Sequence, residues 1–148
     1  MRGMAESITS FRAERAVSPL DGSELWVVLD PDLIRHREAS DFLRCLQGAG
    51  RSPHTTRVYA GRVAVFLSWC QVEGIGWATI GLVDLARFKH WLEVTPYRKG
   101  RARSGSTVNA ILTAVCEFLR FCAQHEYPFW REEWLSPEAG TPAGPAAP

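Results

Sequence analysis

Ser52-Pro53-His54-Thr55-Thr56-Arg57-Val58-Tyr59-Ala60-Gly61-Arg62-Val63-Ala64-Val65-Phe66-Leu67-Ser68-Trp69-Cys70 is the stretch that decides the fold. Serine followed by proline suits a helix cap and its first residue, where proline forfeits no hydrogen bond. Tyr59, Val63, Phe66, Leu67 and Cys70 then recur at spacings of four, three, one and three, which lines one helix face. Arg57, Gly61, Arg62 and Ser68 fall off that face, and Glu73-Gly74-Ile75-Gly76 closes the helix.

The same period extends to both sides. Upstream, Ala39, Phe42, Leu43 and Leu46 predict a helix over about 35–47, ended by Gly48-Ala49-Gly50. Downstream, Leu85, Phe88 and Leu92, with Trp91 beside them, mark a helix over about 82–94, and Asp84 suits its positive N-terminal end. A fourth helix is expected after Ser106, with Val108, Ile111, Leu112, Val115, Phe118, Leu119 and Cys122 as its stripe, and Tyr127-Pro128 ends it. Four amphipathic helices with short connections predict an all-α chain, a compact four-helix bundle over residues 35–127. Residues 1–34 read as an N-terminal arm. Leu25-Trp26-Val27-Val28-Leu29 in it forms a short strand or an extended segment, and only residues 8–13 offer it a partner. Residues 128–148, rich in Pro, Ala and Gly, read as a disordered linker or tail.

With 148 residues, 46% of them hydrophobic and 22% charged, the chain fits one soluble domain with tails. No apolar run is read as membrane-spanning, and Met1-Arg2-Gly3-Met4-Ala5-Glu6 does not lead into a secretory signal. The net charge of +1 hides a division. Residues 1–50 carry −2, residues 51–109 carry +6 from nine basic and three acidic side chains, and residues 110–148 carry −3. A basic middle between acidic ends attracts a polyanion locally. Cys45, Cys70, Cys116 and Cys122 form no C-x-x-C pair and sit in apolar helical patterns, so buried free thiols in a reducing cytoplasm are expected, with no metal. Of the six tryptophans, Trp69 and Trp91 are expected in the core, while Trp130 and Trp134, beyond the last helix, are candidates for an exposed patch.

No catalytic constellation is present: no G-x-S-x-G, G-x-x-x-x-G-K or H-E-x-x-H, and no paired carboxylates on one predicted face. What remains is a binding surface. Two helix starts combine backbone N–H groups, hydroxyls and cations, the ingredients of a phosphate site. The first holds Ser52, His54, Thr55 and Arg57, with Arg62 on the same face as Thr55. The second holds Ser104, Ser106, Thr107 and Asn109, preceded by Lys99, Arg101 and Arg103 in a basic loop without an apolar pattern. Ser52 and Ser106 are also natural caps, and the threonines have capping as an alternative role. Asn109 is a residue type able to read an adenine edge. These residues form an expected phosphate-binding surface; no cofactor and no small-molecule substrate is expected.

Ser52-Pro53-His54-Thr55-x-x-x-Tyr59 followed by Phe66-Leu67-x-Trp69-Cys70 resembles the opening helix of the core-binding domain of tyrosine recombinases, the phage-type integrases. Asp84-Leu85-x-x-Phe88-x-x-Trp91-Leu92 and Ser106-Thr107-Val108-Asn109-x-x-Leu112-x-x-Val115-x-x-Phe118-Leu119-x-Phe121-Cys122 are similar to its later helices, in the same order over about residues 36–126. The resemblance implies a SAM-like bundle that forms half of a C-shaped clamp on DNA and shares contacts with other recombinase protomers. In that family a separate C-terminal domain carries the arginines, lysine, histidines and nucleophilic tyrosine. No His-x-x-Arg with a downstream tyrosine follows residue 125, so the resemblance implies DNA binding without catalysis. The other class of function in view is a helical protein–protein module, a truncated partner or inhibitor of a full recombinase. Residues 1–148 are expected to trap no covalent protein–DNA adduct on a nicked suicide substrate; a denaturant-resistant adduct would refute the reading.

Overall fold

The structure, a computed structural model, describes residues 10–125. Strands β1 (Arg12–Val17) and β2 (Glu24–Leu29) precede helices α1 (Arg37–Gly48) and α2 (Pro53–Glu73). A single 3-10 turn (Trp77–Thr79), α3 (Leu82–Val94) and α4 (Gly105–Gln124) follow. The four expected helices are all present, and the chain is mostly helical. The expected tail and the Trp130–Trp134 patch lie outside the described residues.

The expected strand at 25–29 has a partner, though not the one anticipated. Arg12 pairs with Leu29 and Val17 with Glu24 in an antiparallel hairpin, so the partner is 12–17 rather than 8–13. The charged run Arg12-Ala13-Glu14-Arg15 gives no apolar strand signal. It does not need one, because backbone pairing holds β1 while β2 does the burying through Val27 and Val28. Charged side chains also blunt the free edge of such a ribbon. The hairpin is fastened to the helices by two serines. Ser68 Oγ on α2 accepts from the Phe11 N–H at 2.7 Å, and buried Ser40 Oγ on α1 accepts from the Val28 N–H at 3.3 Å.

The expected stripes are largely the observed core. Ala39, Phe42, Leu43 and Leu46 of α1 are buried, as are Val63, Phe66, Leu67 and Cys70 of α2. Phe88 and Leu92 anchor α3, and Val108, Ile111, Val115, Phe118, Leu119 and Cys122 run down α4. Tyr59, Leu85, Trp91 and Leu112 are half-buried, and Trp69 is buried. Two aromatic clusters set the packing. Phe118 stacks on Trp77 at 5.3 Å and meets Phe42 at 5.6 Å, tying α4 to α1 and the 3-10 turn. Phe88 meets Phe66 at 5.4 Å and Trp69 at 5.2 Å, docking α3 on α2. Against the expectation that no apolar run is membrane-spanning, α4 is long and apolar enough to cross a bilayer by length and composition, and half of that stretch is buried in the fold.

The thiols divide. Cys70 and Cys122 are buried, and burial pushes the Cys70 thiol up to about 12. Cys45 and Cys116 are exposed, contrary to the expectation of four buried thiols. Each precedes a buried residue by one or two positions, Leu46 and Phe118, and a helix turns 100° per residue, so membership of an apolar segment does not fix the facing.

His36 caps α1, its Nδ1 accepting from the Ala39 N–H at 3.2 Å. Its ring sits edge-on to Phe11, Trp77 and Phe118. Burial lowers its pKa below the ordinary 6.5, against the opposing pull of Glu38 and Asp30. The unfolded chain therefore takes up this proton first. The stabilisation is complete above the unfolded value and is lost as pH falls through the folded one. Urea unfolding is expected to show stability falling as pH drops below the ordinary 6.5, and His36→Asn, which keeps a capping side chain, is expected to flatten that fall. Identical pH profiles for both proteins would refute the assignment.

Candidate nucleic-acid interface

Both helix starts are built by one local device. Ser52 is the N-cap of α2; its Oγ accepts from the Thr55 N–H at 3.1 Å and lies 3.0 Å from Thr55 Oγ1. Ser104 is the N-cap of α4; its Oγ accepts from the Thr107 N–H at 3.2 Å and donates to Thr107 Oγ1 at 3.0 Å. The cap of the fourth helix thus lies two residues before the expected one, Ser106, which occupies the helix's second position with its Oγ 3.2 Å from that of Ser104. The Ser-x-x-Thr spacing of Ser52 and Thr55 recurs at Ser104 and Thr107, and this repeat was the sequence signal for the true boundary. Proline at position 53 leaves α2 fewer open N–H groups than α4, whose Gly105 and Ser106 amides have no intrahelical acceptor.

The first start keeps its polar groups outward. His54 and Arg57 are exposed, with Arg57 Nη2 3.4 Å from His54 Nδ1. Arg62 is half-buried and Thr55 is half-buried in its capping role. Thr56 is fully buried and donates through Oγ1 to the Ser52 carbonyl at 3.0 Å, which locks the first turn. Arg51, next to the cap, turns to Glu117 of α4 at 3.8 Å and lies over the Tyr59 ring, whose hydroxyl donates to the same carboxylate at 3.4 Å. Glu117 is roughly 18 Å along α4 from Gly105 at 1.5 Å per residue. The first start therefore sits against the later part of α4 rather than beside its N-terminus.

The basic loop has more structure than its sequence suggests. Tyr97 donates to the Arg101 carbonyl at 3.1 Å and Arg101 to that of Arg98 at 2.8 Å. Lys99 and Gly100 at its tip have φ of +49° and +72°, the pattern of a tight primed turn. Glycine takes that conformation freely, lysine less so. Arg98, Lys99 and Arg101 are exposed on this turn. Arg98 was counted in the sequence only as part of the loop's charge; the turn sets it directly opposite Arg101. Arg103 differs from its neighbours. It is half-buried, its Nη1 donates to the carbonyls of Leu92 at 3.4 Å and Thr95 at 3.2 Å, and its guanidinium lies over Tyr97 at 5.0 Å and Trp91 at 5.6 Å. On α4, Ser106 and Asn109 are exposed, Thr107 is half-buried, and the Asn109 carbonyl accepts from Thr113 Oγ1.

Ion pairing sorts the cations of the basic middle. Arg51 pairs with Glu117, Arg87 with Glu73 and Asp84, and Lys89 with Glu93. Arg57, Arg62, Arg98, Lys99 and Arg101 have no carboxylate within 4 Å among the described residues. The three acidic residues of this region are used up on Arg87 and Lys89, so the excess charge is left on the first turns of α2 and on the basic turn.

Comparison with known families gives this bundle of four helices its class. The chain belongs to the family of the phage integrase N-terminal SAM-like domain, whose profile matches residues 39–126. It is thus the N-terminal domain type of a tyrosine recombinase, as the motif order implied. Neither a curated protein nor a solved structure matches the chain.

The caps give a direct test of the boundary. Ser104→Ala is expected to cost about 1 kcal/mol in urea unfolding, the usual worth of a serine cap, and Ser106→Ala about 0.5 kcal/mol or less. The reverse order would return the cap to Ser106.

Proposed function

We propose that the domain binds double-stranded DNA, chiefly through its phosphates, as the core-binding part of a site-specific recombinase. The observation that carries this reading is the distribution of unpaired charge. Among the described residues, five cations without carboxylate partners lie on an α2 start and one tight turn, in a domain of an integrase family, and Arg44 and Arg120 are further exposed arginines without one. Cations held by carboxylates gain little from a phosphate, because they must first break a pair, whereas unpaired ones only exchange water and counterions. The capped starts support it by aiming open amides and hydroxyls outward beside those cations. The proposal assigns no catalytic residue and no cofactor. It includes other recombinase protomers as partners on the DNA, and a cytoplasmic setting in which the thiols stay reduced.

A second reading has its own observation. Val83 and Val94 of α3 expose 74% and 60% of their surface beside a groove of about 460 Å³ that includes Trp69 and Trp91. Such a face suits a helical module that docks on another protein, a recombinase subunit included.

Salt separates the two. DNA affinity in the non-specific range of about 10⁻⁴–10⁻⁶ M at physiological salt is expected, with log K falling linearly against log salt. Replacing Arg57 and Arg62 together with alanine is expected to flatten that slope by about two units, and replacing the ion-paired Arg87 and Lys89 to leave it nearly unchanged. Equal effects of both pairs, or no salt-dependent binding of duplex at all, would refute the DNA reading.

A further inference from the structure

Arg103 was expected among the phosphate contacts, yet the fold spends its guanidinium internally. The side chain reaches back across the loop to the end of α3, where helices leave carbonyls without amide partners. One nitrogen serves two of them, Leu92 and Thr95. The flat of the group is covered by Tyr97 and Trp91. Tyr97 also carries Arg98 at 5.7 Å, so one ring joins the half-buried arginine to an exposed one. The stem of the turn is closed by the Tyr97–Arg101 hydrogen bond, two residues from Arg103. A turn of five residues with three like charges repels itself and has no apolar side chain of its own to settle into the core, Tyr97 apart. Something outside the turn has to hold it, and Arg103 is the residue that touches both its base and the helix before it.

We propose that Arg103 is a positioning residue that clamps the basic turn to the C-terminal end of α3, so that Arg98, Lys99 and Arg101 meet the duplex backbone as one fixed group. This rests on the DNA reading above. Only a guanidinium meets the geometry: a planar, permanently charged group that stacks on an aromatic ring while donating in its own plane. A lysine at 103 keeps the charge and can donate to both carbonyls from its one nitrogen, but its ammonium does not lie flat over Tyr97 and Trp91.

The test is a cycle on the full chain, read as the salt dependence of duplex DNA binding by fluorescence anisotropy. The variants are Arg103→Gln, Arg103→Lys, a triple Arg98→Gln, Lys99→Gln, Arg101→Gln, and the quadruple. Each phosphate-contacting cation contributes about one unit of slope. Arg103→Gln is expected to flatten the slope by more than one unit, approaching the triple variant, and to change it little when the triple is already present. Arg103→Lys is expected not to restore it. Amide exchange at Tyr97 and Arg101 is expected to quicken in Arg103→Gln while the amides of α1 stay protected, which separates loss of the clamp from loss of the fold. Should Arg103→Gln not fold, Tyr97→Leu removes the ring beneath the guanidinium and is expected to show the same non-additivity with Lys99→Gln and Arg101→Gln. A loss of about one unit in both backgrounds, or full rescue by lysine, would make Arg103 a plain phosphate contact and overturn the proposal while leaving the DNA reading intact. Absence of salt-dependent binding by the unaltered chain would overturn both, whatever the exchange rates show.

Discussion

Phe118 is fully buried where α4 crosses the rest of the domain, and its ring is the fixed point of the architecture. It stacks on Trp77, meets Phe42, and lies edge-on to His36 at 6.5 Å. Through those three partners it fixes the 3-10 turn, the body of α1 and the cap of α1. His36 hands the constraint on to the hairpin, since its N–H donates to the Val28 carbonyl at 2.7 Å. A single aromatic contact region thus decides how the N-terminal ribbon, the first helix and the last helix sit together. Aromatic pairs of this kind add about 0.5–1.5 kcal/mol each beyond the area they bury, and several of them share one ring here.

With the helices fixed, the placement of charge follows. In the first turns of α2, Thr56 and Ala60 face the core while Arg57, on the flank of that face, is exposed to solvent. The basic turn is held by Arg103 against the end of α3, itself docked by Phe88 and Leu92. Acidic partners are spent elsewhere, on Arg87 and Lys89. The outcome is a near-neutral chain with a locally positive surface, the kind of field that draws a polyanion from a distance and then holds it by exchange of counterions.

Most of the helical framework was legible from periodicity, because each helix places one face on a shared core and the stripes at 39–46, 63–70 and 108–122 record that directly. Strand β1 was not legible: its stability comes from pairing to β2, and backbone pairing leaves no mark in a run such as Arg12-Ala13-Glu14-Arg15. The facing of Cys45 and Cys116 was lost for a related reason, since an apolar segment has a wet side. At the candidate site, the caps were read correctly in kind, and the boundary of α4 was missed by two residues because Ser104 and Ser106 are equally good cap types. The sorting of cations could be read only for the pairs at helical spacing, Asp84–Arg87 and Lys89–Glu93. Arg87 meets Glu73 fourteen residues away, and Arg103 meets Leu92 eleven residues back, contacts that exist only once α2, α3 and the turn have packed.

The central claim is that the unpaired cations of the α2 start and the basic turn, and not the basic residues in general, form the DNA surface. Titrating the isotope-labelled chain with a short duplex and following backbone amide shifts tests it most directly. The account predicts shifts gathered at residues 54–62, 97–101 and 105–109, with residues 82–94 of α3 unmoved. Shifts centred on Val83 and Val94 with the basic turn silent would contradict it.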